Sequence, residues 1–316
     1  MAEFDRLIAE IAARQHSLVT FNQVKAAGGD RYAANRRVSV GRWESPYEEV
    51  YRIGGAPWTY EAEVLALVLA AGDDACASHR CACRLLGIGF KNADPEISIR
   101  RGTFFRPKGI AVHTSTDLDR CATVMVAGIR VTEASRALLD TTRYAHGVAL
   151  VNLVEQARRL ELVTWHDLIA CVANHARRGR YGINAMRAVI GAGVVTDEIT
   201  DTDSELAAAG LLREHGFGEP RLQHKLFADD GRLVANMDVA YPDERVNFEI
   251  DGPIHQRTEV RLRDEARDQE VRAVHGWTVR RIYRDIPVKN PQLFLNIVRT
   301  TFKEARDQAA GRRILV

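Results

Sequence analysis

The chain lacks the marks of several protein classes at once. Its 316 residues hold only five cysteines, Cys76, Cys81, Cys83, Cys121 and Cys171. An odd, sparse set in so large a chain argues for reduced thiols in a cytosol and against a disulfide framework. Long apolar runs are missing: the best, Val64–Ala71, stops after eight residues, against the roughly 20 that a spanning helix needs. Met1-Ala2-Glu3-Phe4-Asp5 offers no basic stretch followed by an apolar core, so no secretory leader is expected. Charge of one sign is missing too, since 44 basic residues against 42 acidic leave +2. Binding to nucleic acid must therefore rest on local patches. What is present, 46% apolar and 27% charged residues, is ordinary for a globular protein. At roughly 150 residues per domain the length predicts two domains or three. The expectation is a cytoplasmic, multidomain α+β protein with no membrane partner.

Residues 1–55 predict a winged helix-turn-helix. Phe4, Leu7, Ile8 and Ile11 keep helical spacing. Thr20 and Gln23 form a capping box for a second helix, which Gly28-Gly29 ends. Asp30 caps a third helix running to about Gly41, and Trp43–Tyr51, broken by Ser45-Pro46, reads as a hairpin. At 3.6 residues per turn, Arg31, Tyr32, Asn35, Arg36, Ser39 and Arg42 share one side of the third helix. Ala33, Ala34 and Val38 take the other, with Arg37 toward the apolar side. Arginine can pair bidentately with guanine and asparagine with adenine, and phosphates suit both arginines and hydroxyls. A solvated arginine-rich face is the plain alternative. The helix order and trailing ribbon favour double-stranded DNA as the partner.

Residues 56–196 read as a mixed, mainly helical middle region. Helices are expected at 62–71 and Cys76–Leu86, and strands at Ile97–Arg100, Ile110–His113 and Thr123–Val126. A helical pattern follows from Thr132 to Ile190. Cys76, His79, Cys81 and Cys83 crowd one predicted helix, whereas structural zinc sites draw ligands from two segments. Small buried residues account for them better.

The amino-terminal and middle regions resemble AbiEi-type antitoxins. Leu18-Val19-Thr20, Gly28-Gly29, Arg36-Arg37-Val38, Gly41-Arg42-Trp43 and Val50-Tyr51-Arg52-Ile53 carry the likeness. Ser78-His79-Arg80, Leu85-Leu86-Gly87, Thr132 and Leu138-Leu139-Asp140 extend it to about residue 190. The resemblance implies sequence-specific DNA binding and self-repression. It leaves a cognate toxin and a homodimer as open partner readings. Glu44, Glu48 and Glu49 make the wing acidic, unlike one that binds phosphate.

The most informative stretch lies in residues 197–316, which predict an α/β domain. Helix Thr202–His215 leads to strands Lys225–Ala228, Val234–Ala240 and Val246–Asp251. Helix Thr258–His275, strand Thr278–Tyr283 and helix Pro291–Gln308 follow. Alternation puts Asn247, Glu249 and Asp251 on one strand face and Val246, Phe248 and Ile250 on the other. A hairpin at Pro242–Glu244 brings Asp238 nearly opposite Phe248 and Glu249. Converging carboxylates repel unless a cation sits among them, and oxygen-only ligands suit Mg2+ or Mn2+. Such an ion can drive phosphodiester cleavage.

This pattern resembles the very-short-patch-repair-like endonuclease domains of the PD-(D/E)XK superfamily, of restriction-endonuclease-like fold. Asp238 matches the first acid and Glu249 the second, whereas Asp251 stands where lysine is usual. Glu249-Ile250-Asp251-Gly252 followed by His255 matches a related variant, and the likeness continues through Asp264–Asp268 and Gly276–Arg281. The resemblance implies Asp238, Glu249 and Asp251 as metal ligands, with Glu205, His255 and Asp264 assisting. Each assistant has a plainer alternative: Glu205 as capping-box partner of Thr202, His255 as an ordinary polar residue, Asp264 as ion-pair partner of Arg267. Arg280, Arg281, Arg284 and Lys289 line a nucleic-acid path or are simply solvated. The rival to a DNA endonuclease is a non-catalytic antitoxin or repressor with a degenerate nuclease fold.

Overall fold

The computed structural model of the chain describes residues 2–195, 198–252 and 269–314. The protein is mixed α+β. Its contacts gather into two compact units, Met1–Tyr144 with Asn152–Leu162, and Ala145–Val151 with Val163–Val316. No helix among the described residues is long and apolar enough to cross a membrane.

The first unit opens with three helices, α1 (Ala2–Arg14), α2 (Phe21–Ala26) and α3 (Arg31–Ser39). The Thr20 side chain accepts from the Gln23 amide and Gln23 answers to the Thr20 amide, the expected capping box. Asp30 caps α3 by accepting from the Ala33 amide at 2.7 Å. A three-stranded antiparallel sheet of order β1-β3-β2 joins β1 (Leu18–Thr20), β2 (Trp43–Tyr47) and β3 (Val50–Ile53). Strand β1 adds to the expected elements; it sits between the first two helices. Ile8, Ala12, Val19, Val24, Ala34, Trp43 and Tyr51 close one core beneath these elements.

Further on, α4 (Tyr60–Ala71), α5 (His79–Leu85) and α6 (Ala134–Thr141) accompany a five-stranded sheet. Its order is β6-β5-β4-β8-β7, from β4 (Cys76–Ala77), β5 (Glu96–Arg100), β6 (Ala111–Ser115), β7 (Thr123–Val126) and β8 (Ile129–Thr132). The expected helix Cys76–Leu86 is thus divided. Cys76 and Ala77 pair with Ser98 and Ile97, and extended Ser78 ends the strand before α5 begins.

Helix α7 (Val148–Arg159) precedes the helices of the second unit, α8 (Trp165–His175), α9 (Ile183–Gly193) and α10 (Asp201–Glu214). A four-stranded sheet follows, β12-β11-β10-β9, made of β9 (Arg221–Phe227), β10 (Leu233–Tyr241), β11 (Val246–Asp251) and β12 (Thr278–Tyr283). In this sheet, among the described residues, only β11 and β12 run parallel. Short α11 (Ile286–Lys289) and long α12 (Pro291–Ile314) end the chain. Of the expected helix Thr258–His275, residues 269–273 are helical and its first part lies outside the described residues.

Apolar residues clothe both sheet faces. Val246, Phe248 and Ile250 pack with Ala208, Leu211 and Leu212 of α10 and Phe294, Val298 and Phe302 of α12. Met237, Ala240 and Val279 pack with Val271 and Trp277 in a second cluster.

Helices α8 and α10 meet at a glycine. A Cβ on Gly210 would lie 2.7 Å from Ala173 Cα and 3.3 Å from its carbonyl oxygen. Alanine gains about 1 kcal/mol of helix propensity over glycine. Overpacking against backbone costs about 1–3 kcal/mol, and backbone cannot turn aside as a flexible side chain can. Gly210→Ala is expected to lower stability by about 1–2 kcal/mol net, read from urea denaturation. A stabilised variant would show that the helices part without strain.

Candidate functional site

Three groups of residues carry chemistry. The first is the outer face of α3. Arg31, Tyr32, Asn35, Arg36 and Ser39 are exposed or half-buried and Ala34 is buried, as the helical spacing predicts. Arg42 lies beyond α3, because the helix ends at Ser39 and Gly41 turns the chain with φ +73°. Arg37 is pinned inward: it pairs with Asp5 at 2.7 Å and lies over the rings of Phe4 and Trp43. Arg31 pairs with Glu49 at 2.5 Å and stacks on Phe21. Glu44 pairs with Arg52 at 2.8 Å, and that hydrogen bond holds its carboxyl below the usual range. Two of the three acids in the hairpin therefore already hold arginine.

The second group gathers where two strands of the second unit's sheet cease to pair. The β10–β11 ladder pairs Tyr241 with Val246, Ala240 with Asn247 and Val239 with Phe248, and goes no further. At the next step Asp238 Oδ2 accepts from the Ile250 amide at 2.7 Å. Across β10, Gln223 adopts a left-handed φ of +50° between the Met237–His224 and Val239–Leu222 pairs. The sheet changes faces here, with Met237 in one apolar cluster and Val239 in the other. Gln223 Nε2 donates to Glu205 Oε1 at 2.8 Å and to Asp238 Oδ1 at 3.2 Å, while its own Oε1 accepts from Asn236.

Glu205 is not the capping partner of Thr202. Thr200 caps α10 with Asp203, whose other oxygen meets His166 Nδ1 at 2.5 Å. The two Thr-x-x-acid frames overlap, and the earlier one leaves Glu205 a turn inside the helix, 8% exposed and turned toward Gln223. Burial, then the charge of Asp238, raises its pKa to about 7 against the pull of the Gln223 hydrogen bond. Asp238 is raised as well, chiefly by burial, although the Ile250 amide and Gln223 oppose the shift.

Glu249 and Asp251 lie beyond this pair on β11. Glu249 accepts from Asn247 Nδ2 at 2.7 Å, and Asp251 from Arg281 Nη1 at 3.3 Å. Fully buried Asn247 leaves its Oδ1 without a partner among the described residues. Gly252 sits close to Arg284 and Asp201. Arg280 turns away to Glu304 on α12. His255, Asp264 and Arg267 lie outside the described residues. Among the described residues, no three of these carboxylates bring ligand atoms within 4.8 Å of one another. Asp238 is held by an amide and Asp251 by a guanidinium, and the acid linked to Asp238 through Gln223 is Glu205, not Glu249 or Asp251.

The third group shares only His79 with the sequence expectations, which weighed it beside three cysteines and not with Glu96 or His113. His79, Glu96 and His113 come from α5, β5 and β6, and their ligand atoms lie within 4.8 Å of one another. The two imidazoles stack with centroids 3.6 Å apart. Burial of fully enclosed Glu96 is outweighed by hydrogen bonds from His113 and Arg80, which hold its pKa below the usual range. The signal in the sequence is slight: a charged residue opening the apolar strand Glu96-Ile97-Ser98-Ile99.

Glu205 makes stability depend on pH. Its carboxyl keeps a proton up to about pH 7 when folded but only to about 4.5 when unfolded. The folded state therefore binds more protons between these values, and stability falls as pH rises through them. Glu205→Gln is expected to flatten that decline. The gain over the parent chain at pH 8 should be about 1–3 kcal/mol, measured by urea denaturation at pH 5 and pH 8. Equal slopes in the two proteins would show that Glu205 ionises as an ordinary carboxylate.

No family model and no curated protein matches the chain. Among solved structures, it is similar to the crystal structure of RV2827C protein from Mycobacterium tuberculosis. Identity is 15% and the TM-score 0.33, over 72% of this chain and 89% of that one. A likeness that faint leaves the functional reading to the residues themselves.

Proposed function

We propose that the chain is a DNA-binding protein that cleaves phosphodiester bonds with Mg2+. The observation that carries the reading is the pair of buried Glu205 and half-buried Asp238, bridged by Gln223 where β10 and β11 part. Each carboxyl is raised by burial and by a neighbouring acid, which is the electrostatic condition a divalent cation relieves. The residues fit Mg2+: the donors are oxygens, and Mg2+ is commonly held by one or two carboxylates while keeping several waters. Asp238 would hold it, with Glu249 and Asp251 on the adjoining strand. When bound, Mg2+ would lower the pKa of a coordinated water and take up charge on the phosphate. Glu205, whose carboxyl titrates near neutrality, is suited to take up a proton. Arg281, in register with Glu249 and bonded to Asp251, supplies positive charge beside the acids where the resembled family uses lysine.

The amino-terminal elements support DNA as substrate, since their three helices and three-stranded sheet have the order expected of a winged helix-turn-helix. Arg36, Asn35 and Tyr32 stand on the outer face of α3 for groove and phosphate contacts. The Asp251–Arg281 pair favours one rival, a repressor whose nuclease fold has lost its chemistry.

Supercoiled and mismatched DNA, incubated with Mg2+ or Mn2+, decides between them. The parent chain is expected to nick, Asp238→Asn to bind DNA without nicking, and Glu205→Gln to be slower by about 10²–10⁴-fold. If Asp251 fills the lysine's role, Asp251→Lys keeps or raises activity; if Asp251 is a metal ligand, activity collapses. No cleavage with either metal, joined to calorimetry without Asp238-dependent binding, would replace the enzyme with the repressor.

DNA affinity tests α3 separately. Arg31→Ala with Arg36→Ala should reduce the salt dependence of log K by about 0.9 for each phosphate that is no longer neutralised. If either arginine reads a base, discrimination there should fall by about 1–3 kcal/mol. Unchanged affinity and slope would remove α3 from the interface.

A further inference from the structure

We propose that His79, Glu96 and His113 form a binding site for a borderline divalent transition-metal ion, of which Zn2+ and Co2+ are suitable probes. Three separate elements deliver two imidazoles and one carboxylate to a common point, with ligand atoms within 4.8 Å of one another. Two nitrogens and one oxygen suit zinc, cobalt or iron and serve Mg2+ or Ca2+ poorly. The donors carry the outer hydrogen bonds that orient metal ligands. His79 Nδ1 lies 3.0 Å from Ser78 Oγ, itself bonded to Ser98 Oγ at 2.8 Å, which leaves Nε2 to face the ion. Arg80 holds Glu96 Oε1 and leaves Oε2 turned to His113 Nε2 at 3.3 Å. His79 adopts a left-handed φ of +55°, unusual outside glycine, at the first residue of α5.

The stacked rings are inclined by only 18°, and two parallel imidazoles cannot both point in-plane at one ion. Binding therefore opens the stack. His113, 19% exposed on β6, is the ring with room to turn about χ2. Three protein ligands leave further positions for water or an anion.

Calorimetry of the full chain with Zn2+, and Co2+ absorption, test the site. One ion per chain is expected. Affinity should fall at least about 100-fold in His113→Ala and about 10–100-fold in Ser78→Ala. It should be unchanged in Asp238→Asn and in excess Mg2+, which separates this site from the carboxylates of the second unit. No binding to the parent chain, or equal binding to His113→Ala, would overturn the proposal. Should His113→Ala fail to fold, imidazole NMR signals of the parent chain decide. Shifts of His79 and His113 on adding Zn2+ support the site, and unmoved signals overturn it.

Discussion

The second unit turns on one hydrogen bond, from the Ile250 amide to Asp238. A backbone N–H shut away from water must find an acceptor, and the β10–β11 ladder stops supplying one after Val239 and Phe248. Asp238 takes over with a side-chain oxygen. The strands can then diverge without leaving Ile250 unpaired, and the gap between them is where acids accumulate. Gln223 completes the arrangement from the other side. Its left-handed backbone lets β9 follow the change of face, and its amide ties Asp238 to Glu205 on the helix above. The proposed chemistry and the fold share the same atoms here, so Asp238→Asn is expected to disturb charge far more than shape.

The first unit handles charge differently. Arg136 is 3% exposed and bonds Asp140 at 2.9 Å, with Asp117 at 3.4 Å. Glu96 is wholly enclosed and answered by Arg80 and His113. Desolvating such charges is costly, and removing one partner strands the other, at about 3–5 kcal/mol. These ions fix which strand faces which helix. Asp238 and Glu205 are instead held by the Ile250 amide and by Gln223, a neutral setting that suits the proposed catalytic use of charge.

Regular patterns were legible in the sequence where one residue's environment is set by near neighbours. The spacing of Arg31, Ala34, Asn35 and Arg36 foretold which side of α3 is wet, and Thr20 with Gln23 foretold the cap of α2. The alternation of Val246, Phe248 and Ile250 foretold the core face of β11. Short elements escaped: β4 has two residues and takes its identity from Ser98 and Ile97, far along the chain. Overlapping signals misled, since Thr200 and Thr202 each precede an acid by three residues and only burial of Glu205 chooses between them. The meeting of His79, Glu96 and His113 was illegible because no local spacing links them. Only the parallel pairing of β5 with β6, beside α5, brings them together.

The Arg31–Glu49 pair has a consequence for selectivity under the proposed DNA role. A phosphate approaching Arg31 must displace a carboxylate already 2.5 Å away, and the displaced Glu49 then faces a polyanion. Docking at that point is an exchange of one anion for another, so charge alone drives it weakly. Random duplex, which offers little beyond charge, would gain less from the exchange. A cognate site adds base-edge contacts through Asn35 and Arg36 that outlast the exchange. Under that role Glu49 would act as a resident decoy, trading dwell time on bulk DNA for faster search.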